Sequence, residues 1–228
     1  MQSYKEDADN IMKPSITNRF REDLRNILGR ALESLQSRDF TREEIIRLSR
    51  EIIRCSGRVI SYIVSKDIER GIRELETCNH LVSRLLEIYN KEQDLVRGGL
   101  GLQSLVEYCE AVYLARASLD LNIECPSQIP PEAVVLGVLD MTGELRRIAI
   151  NLIGEWDLES SRKIIDLMRE IYNLLSPIDL PDAIAPGFRH KIDVLRRNIE
   201  DLETLYSDIR TRRDLIEALK NTKNSENT

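Results

Sequence analysis

Two pairs of carboxylates are the side chains of this 228-residue sequence best spaced to do chemistry. Glu107 and Glu110 lie three apart, and Asp140 and Glu144 lie four apart. On a helix, each spacing puts both groups of a pair on one face. Their neighbours along the chain are apolar: Glu110 falls in the row Leu102, Val106, Glu110, Leu114, and Asp140 stands near Leu136, Gly137 and Gly143. An acid in an apolar stripe must be neutralised, paired or bound to a cation. Crowded acids also repel unless something positive sits between them. Four carboxylates without a histidine offer only hard oxygen donors, which suit Mg²⁺ or Mn²⁺ rather than zinc. Such ions organise phosphates and activate water for in-line attack on a phosphodiester. The alternative is a set of ordinary salt bridges to arginines such as Arg146 and Arg147, and spacing alone favours it. A ferritin-like di-iron site fits less well, because neither His80 nor His190 completes a Glu-x-x-His motif.

A second constellation is basic. Arg47, Arg50, Arg54 and Arg58 follow steps of three, four and four, which keeps them on one side of a helix, away from Ile45, Ile52 and Val59. Arginine suits bidentate contact with phosphate. Arg19, Arg21, Arg25 and Arg30 add positive charge upstream. A solvated face paired with Glu43, Glu44 and Glu51 explains the row equally well. Net charge does not announce a nucleic-acid binder, since the chain carries −6. Any RNA contact must therefore come from local concentration of arginine.

Other chemistries are excluded. Gly98-Gly99-Leu100-Gly101 lacks the preceding strand and the Lys-Ser/Thr of a phosphate loop and reads as a turn. Two histidines cannot build a histidine-rich metal site, and no serine triad can be assembled. Cys55, Cys78, Cys109 and Cys125 form no C-x-x-C pair and are expected as buried free thiols in a reducing compartment. There is no secretory start and no long uncharged apolar run, so a cytoplasmic protein without membrane contact is expected.

The elements that must position these groups are helical. Aromatic residues are only 5%, too few for a typical sandwich or barrel. Apolar periodicity predicts seven helices: from Ile16 to Arg38; from about Arg42 to Lys66, after a break at Asp39-Phe40-Thr41 with a Thr41/Glu44 capping box; over 67–95; from about Leu102 to Leu121; from Pro131 to about Gly154; over Leu158–Leu175; and a last one to about Lys220. Residues 1–13 are expected as a flexible N-terminus, 14–220 as a single helical domain and 221–228 as a disordered tail. On the last helix Ile192, Leu195, Ile199, Leu202, Tyr206 and Ile209 alternate in steps of three and four, which fits either an oligomer seam or packing within the domain.

Three stretches resemble the translin family, nearer its factor-X branch than translin itself. They are Leu136-Gly137-Val138-Leu139-Asp140-Met141-Thr142-Gly143-Glu144-Leu145-Arg146-Arg147, then Gly101-Leu102-Gln103 through Glu107-Tyr108-Cys109-Glu110-Ala111-Val112, and Arg47-Leu48-Ser49-Arg50-Glu51-Ile52. The likeness keeps the same order from about Phe20 to Arg212. It implies an all-α, seven-helix bundle that assembles into a closed oligomeric shell, an octamer of this chain or a mixed oligomer with a translin subunit. It also implies metal-dependent RNA cleavage, with Glu107, Glu110, Asp140 and Glu144 as both catalytic and metal-binding groups. Arg47, Arg50, Arg54 and Arg58 would then position the RNA backbone. Translin itself, which the resemblance describes as binding RNA or single-stranded DNA, lacks the complete acidic set that this chain keeps. Unlike factor X, this chain has no long insertion between the two acidic helices, only Asn122–Pro130. The alternatives are a non-catalytic RNA- or single-stranded-DNA-binding shell and a helical scaffold whose acids are salt bridges.

Overall fold

Apolar periodicity of 3.6 residues, sustained between glycine and proline punctuation, yields helices throughout a computed structural model that describes residues 17–119 and 122–226, with side chains described as far as 222. Among these residues there are seven helices and no strand: α1 Asn18–Val64, α2 Ile68–Tyr89, α3 Gln93–Arg97, α4 Leu100–Leu119, α5 Pro131–Gly154, α6 Leu158–Leu175 and α7 Phe188–Glu226. The flexible N-terminus expected over 1–13, and the helix start expected at Pro14-Ser15, lie outside the described residues.

The number of helices agrees with expectation, but three boundaries do not. The break at Asp39-Phe40-Thr41 is absent and α1 runs on through it. None of those residues is glycine or proline, so each costs a helix only a fraction of a kcal/mol, about 0.7 at most. Thr41 does not act as a cap; its hydroxyl donates to the Ser37 carbonyl at 3.1 Å, one turn back within the helix. Conversely, the helix expected over 67–95 ends at Tyr89, and a short α3 follows the turn at Asn90–Glu92. At the other end, α7 continues to Glu226 through most of the segment expected as a disordered tail.

The chain divides into two units, residues 1–44 and 45–228. In the first, the described residues form the opening half of α1. Thr17 caps it, its hydroxyl oxygen accepting from the Phe20 amide at 3.1 Å. The apolar row Phe20, Leu24, Ile27, Leu28, Leu32, Leu35 is exposed throughout, Leu35 at 62%.

In the second unit α5 is the central helix, packed against α4, α6 and α7, while α2 packs on α3 and α4. Its core draws on Leu48, Ile52 and Val59 of α1, Val82 and Leu85 of α2, Leu105 and Leu114 of α4, Leu136 and Leu145 of α5, Ile165 and Met168 of α6, and Leu195 and Leu202 of α7. The α7 seam is thus spent inside the unit, with Leu195, Ile199 and Leu202 buried. Cys55 of α1 and Cys78 of α2 are joined as a disulfide, 23 residues apart in sequence, which corrects the expectation of four free thiols. No spacing motif announces such a pair. Cys109 and Cys125 are free. Among the described residues no helix is long and apolar enough to cross a membrane.

One residue fixes the α4–α5 spacing. A Cβ at Gly137 would sit 2.6 Å from the Cys109 Cβ, 2.7 Å from the Val106 carbonyl oxygen and 3.0 Å from the Glu110 amide nitrogen. Only the missing side chain lets the two backbones approach this closely.

Candidate metal centre

The close approach at Gly137 decides what the carboxylates meet. Asp140 and Glu144 follow Gly137 along α5 by one and two turns, and Glu110 of α4 lies at the contact itself. Val106 and Leu114, one turn either side of Glu110, are buried, so Glu110 is carried on the packed side of α4. All four acids are part-buried.

Their mutual influence is visible in their acidity. The Glu110 carboxyl is pushed up to about 8, first by burial and then by the negative charges of Asp140, Glu107 and Glu144, with Lys191 opposing the rise. Burial also raises Glu107, again with Asp140 reinforcing and Lys191 opposing. Glu110 therefore senses the other three predicted carboxylates, and the structure brings all four into one electrostatic neighbourhood. They are not drawn tight: among the described residues no three histidine, cysteine or acidic groups lie close enough to enclose a metal ion.

Two cations share the neighbourhood. The Lys191 ammonium, from the first turn of α7, pairs with Asp140 Oδ1. Arg147 Nη2 lies 3.1 Å from Glu144 Oε2. That contact lacks hydrogen-bond alignment, so Glu144 Oε2 is buried without a hydrogen bond. Arg146 instead faces Asp201 of α7 at 3.8 Å. Salt bridging to Arg147 was foreseeable from its i,i+3 spacing; Lys191 was not. It lies 51 residues from Asp140 and reaches it only because burial of Leu195 and its neighbours lays α7 on α5.

The donor set still suits a hard divalent ion. It is all carboxylate oxygen, it carries more negative charge than Lys191 and Arg147 neutralise, and it contains a buried oxygen, Glu144 Oε2, held by an ion pair but by no hydrogen bond. To hold such an ion, Asp140 would have to give up its pairing with Lys191.

The arginine row is divided by the structure. Arg47 lies 3.4 Å from Glu51. Arg58 grips Glu74 of α2, with Nε at 3.0 Å and Nη2 at 2.5 Å from Oε1. Arg50 and Arg54 are exposed and, among the described residues, make no ion pair. The two central members are therefore the ones open to a phosphate. His80 and His190 are both exposed, away from any role in the core.

The acidity of Glu110 has a measurable consequence for stability. Below its ordinary value of 4.5 the carboxyl is protonated whether the chain is folded or not, and it costs nothing. Between there and about 8 the unfolded chain releases the proton while the folded chain keeps it, so stability falls as pH rises. Above about 8 the full penalty applies. In the presence of EDTA, Glu110→Gln should therefore melt a few degrees above the wild type at pH 9 and together with it at pH 4. Equal melting at both pH values would show that the carboxylates do not burden one another.

Comparison with known proteins places this geometry in a family. The chain is 25% identical over 196 residues to an uncharacterised protein of Methanocaldococcus jannaschii, covering 82% of this chain and 86% of that one. It is 28% identical over 194 residues to the Translin-associated protein X homolog of Schizosaccharomyces pombe, covering 77% and 84%. A solved AfC3PO–duplex RNA complex superposes with a TM-score of 0.75 at 26% identity, over 82% of this chain and 97% of that one. The model of the Translin family matches residues 97–213, from the end of α3 into α7, a span that contains Glu107, Glu110, Asp140, Glu144 and Lys191 but not the arginine row. This chain belongs to the Translin family.

Proposed function

We propose that the protein is an endoribonuclease dependent on Mg²⁺ or Mn²⁺, hydrolysing RNA phosphodiesters inside an oligomeric assembly. The observation that carries this reading is that the charges of Asp140, Glu107 and Glu144 all bear on the part-buried Glu110 carboxyl, with too little positive charge to balance the four. Glu107, Glu110, Asp140 and Glu144 would hold the ion, which when bound supplies an activated water and stabilises charge on the cleaved phosphate. The protein's own part is electrostatic. Packing of α4 on α5 keeps the carboxylates together and half-dry, which sharpens their pull on a cation. Lys191 balances Asp140 until an ion takes its place. Arg50 and Arg54 would engage the RNA backbone without reading sequence. One solved relative, AfC3PO, is seen in a complex with duplex RNA.

Assembly is part of the proposal. A chain of net charge −6 attracts RNA poorly by itself, whereas repeated arginine rows facing one interior create a positive cavity from an acidic protein. The seam on α7 cannot serve, being buried within its own unit. The exposed row from Phe20 to Leu35 on α1 is an apolar surface in want of a partner. We take that partner to be further copies of this chain, in a closed shell such as an octamer, or a translin-type subunit.

A non-catalytic shell that binds RNA or single-stranded DNA is the second reading. It is favoured by the pairing of Lys191 with Asp140 and by the spread of the four acids. It predicts binding without turnover.

Labelled single- and double-stranded RNA incubated with the protein should be cut with Mg²⁺ and left intact with EDTA. Glu110→Ala and Asp140→Ala should each lower the rate by more than about a hundredfold with the helical signal preserved. Full activity in both variants would remove the assignment; binding without cleavage by the wild type would establish the second reading. Reversal of Arg50 and Arg54 to Glu should weaken RNA binding by about an order of magnitude and flatten its salt dependence. Unchanged affinity would make the row a solvated face. Native mass spectrometry should give a mass several-fold above the 26.3 kDa chain. A monomer at micromolar concentration that still cleaves RNA would exclude the shell.

A further inference from the structure

Cys109 and Cys125 are the two cysteines the disulfide leaves over, and they are not scattered. Their sulfurs stand 3.2 Å apart, in direct contact. Cys109 lies on α4 between Glu107 and Glu110, fully buried, and its Cβ is the atom that a Cβ added at Gly137 of α5 would meet first, at 2.6 Å. Cys125 lies in the connection from α4 to α5 and is only part-buried. The Tyr113 side chain, one turn beyond Cys109, lies beside the Cys125 thiol. One sulfur is thus clamped by helix packing, and the other is held against it from a segment with solvent access.

We propose that Cys109 and Cys125 form a peroxide-reactive dithiol that closes to a second internal disulfide. The accessible member reacts first: the Cys125 sulfur attacks hydrogen peroxide, the O–O bond breaks, and a sulfenic acid and one water result. Cys109 then attacks that sulfur, the S–O bond breaks, and a second water leaves as the S–S bond forms. Two thiols and one peroxide give one disulfide and two waters, with the thiols oxidised and the peroxide reduced. Bond formation asks the sulfurs to close by roughly 1.2 Å from their present contact, to about 2.05 Å. The movement falls to Cys125, because Cys109 cannot shift without displacing the α4–α5 contact. The bridge ties the α4–α5 connection to the turn that carries Glu107 and Glu110. It does not depend on a metal being bound there.

The sequence makes the test direct. Arg54, Arg58, Arg73, Arg84, Arg97, Arg116 and Arg146 separate the four cysteines into four tryptic peptides. The folded full-length protein, reduced and freed of reductant, is treated with equimolar hydrogen peroxide, alkylated in denaturant and digested without reduction. The expected product is a linked pair joining the peptide of Cys109 to that of Cys125. In Cys125→Ser, Cys109 should stay reduced and alkylate fully after denaturation. The oxidised wild type should also melt several degrees above the same protein after reduction, by more than oxidised Cys125→Ser does over its own reduced form. The proposal fails if Cys125 is carried to sulfinic acid without linkage. It fails equally if the links formed join Cys109 or Cys125 to Cys55 or Cys78, or if excess peroxide leaves both alkylatable.

Discussion

Everything at the candidate centre depends on how closely two helix backbones can approach. Where α4 meets α5, the space a methyl group would need at Gly137 is already taken by the Val106 carbonyl, the Cys109 side chain and the Glu110 amide. The consequence is electrostatic as much as steric. Packing at that distance carries Glu110 into reach of Asp140 and Glu144 from the facing helix, and removes much of the water that would otherwise screen them. A larger residue would spread the carboxylates and relieve their repulsion, at the cost of the arrangement proposed to hold a cation. Stability and site therefore pull in opposite directions at one position, a familiar condition of functional sites.

The charges around the carboxylates show how the fold tolerates this tension. Arg147 leans on Glu144 from the same helix, and Lys191 crosses from α7 to Asp140. Neither quenches Glu110, whose acidity is set by burial first and by like charge second. The α7 contribution matters beyond its single charge. The first turn of α7 is placed by the burial of Phe188 and Leu195, so the core itself holds the ammonium against the acids.

Much of this was legible in the sequence, for identifiable reasons. The four acids could be singled out because apolar residues surround them, and the helices from α4 to α6 because glycine and proline bound them. The signal failed where punctuation was weak. Asp39-Phe40-Thr41 looks like a break but contains nothing a helix cannot absorb, whereas Asn90-Lys91-Glu92 looks helical and turns. Residues that meet only through tertiary packing left no trace: Cys55 with Cys78, and Lys191 with Asp140. The three-four seam on α7 was visible, but periodicity reports only that a face is apolar and not whose core receives it. The same limit divided the arginine row, since Glu74, which claims Arg58, lies on another helix.

The exposed row on the opening half of α1 has a consequence for the life of the single polypeptide. A newly made chain presents Phe20, Leu24, Ile27, Leu28, Leu32 and Leu35 to water, together with Phe40 at 76% exposure. Such a surface engages chaperones or other copies of itself until it is covered. If a further subunit covers it, as proposed, the supply of that subunit governs how much protein survives, because binding to the folded form adds to its stability by mass action. In that assembly dilution would act as a mild denaturant does, and an imbalance in subunit stoichiometry would be registered as lost abundance.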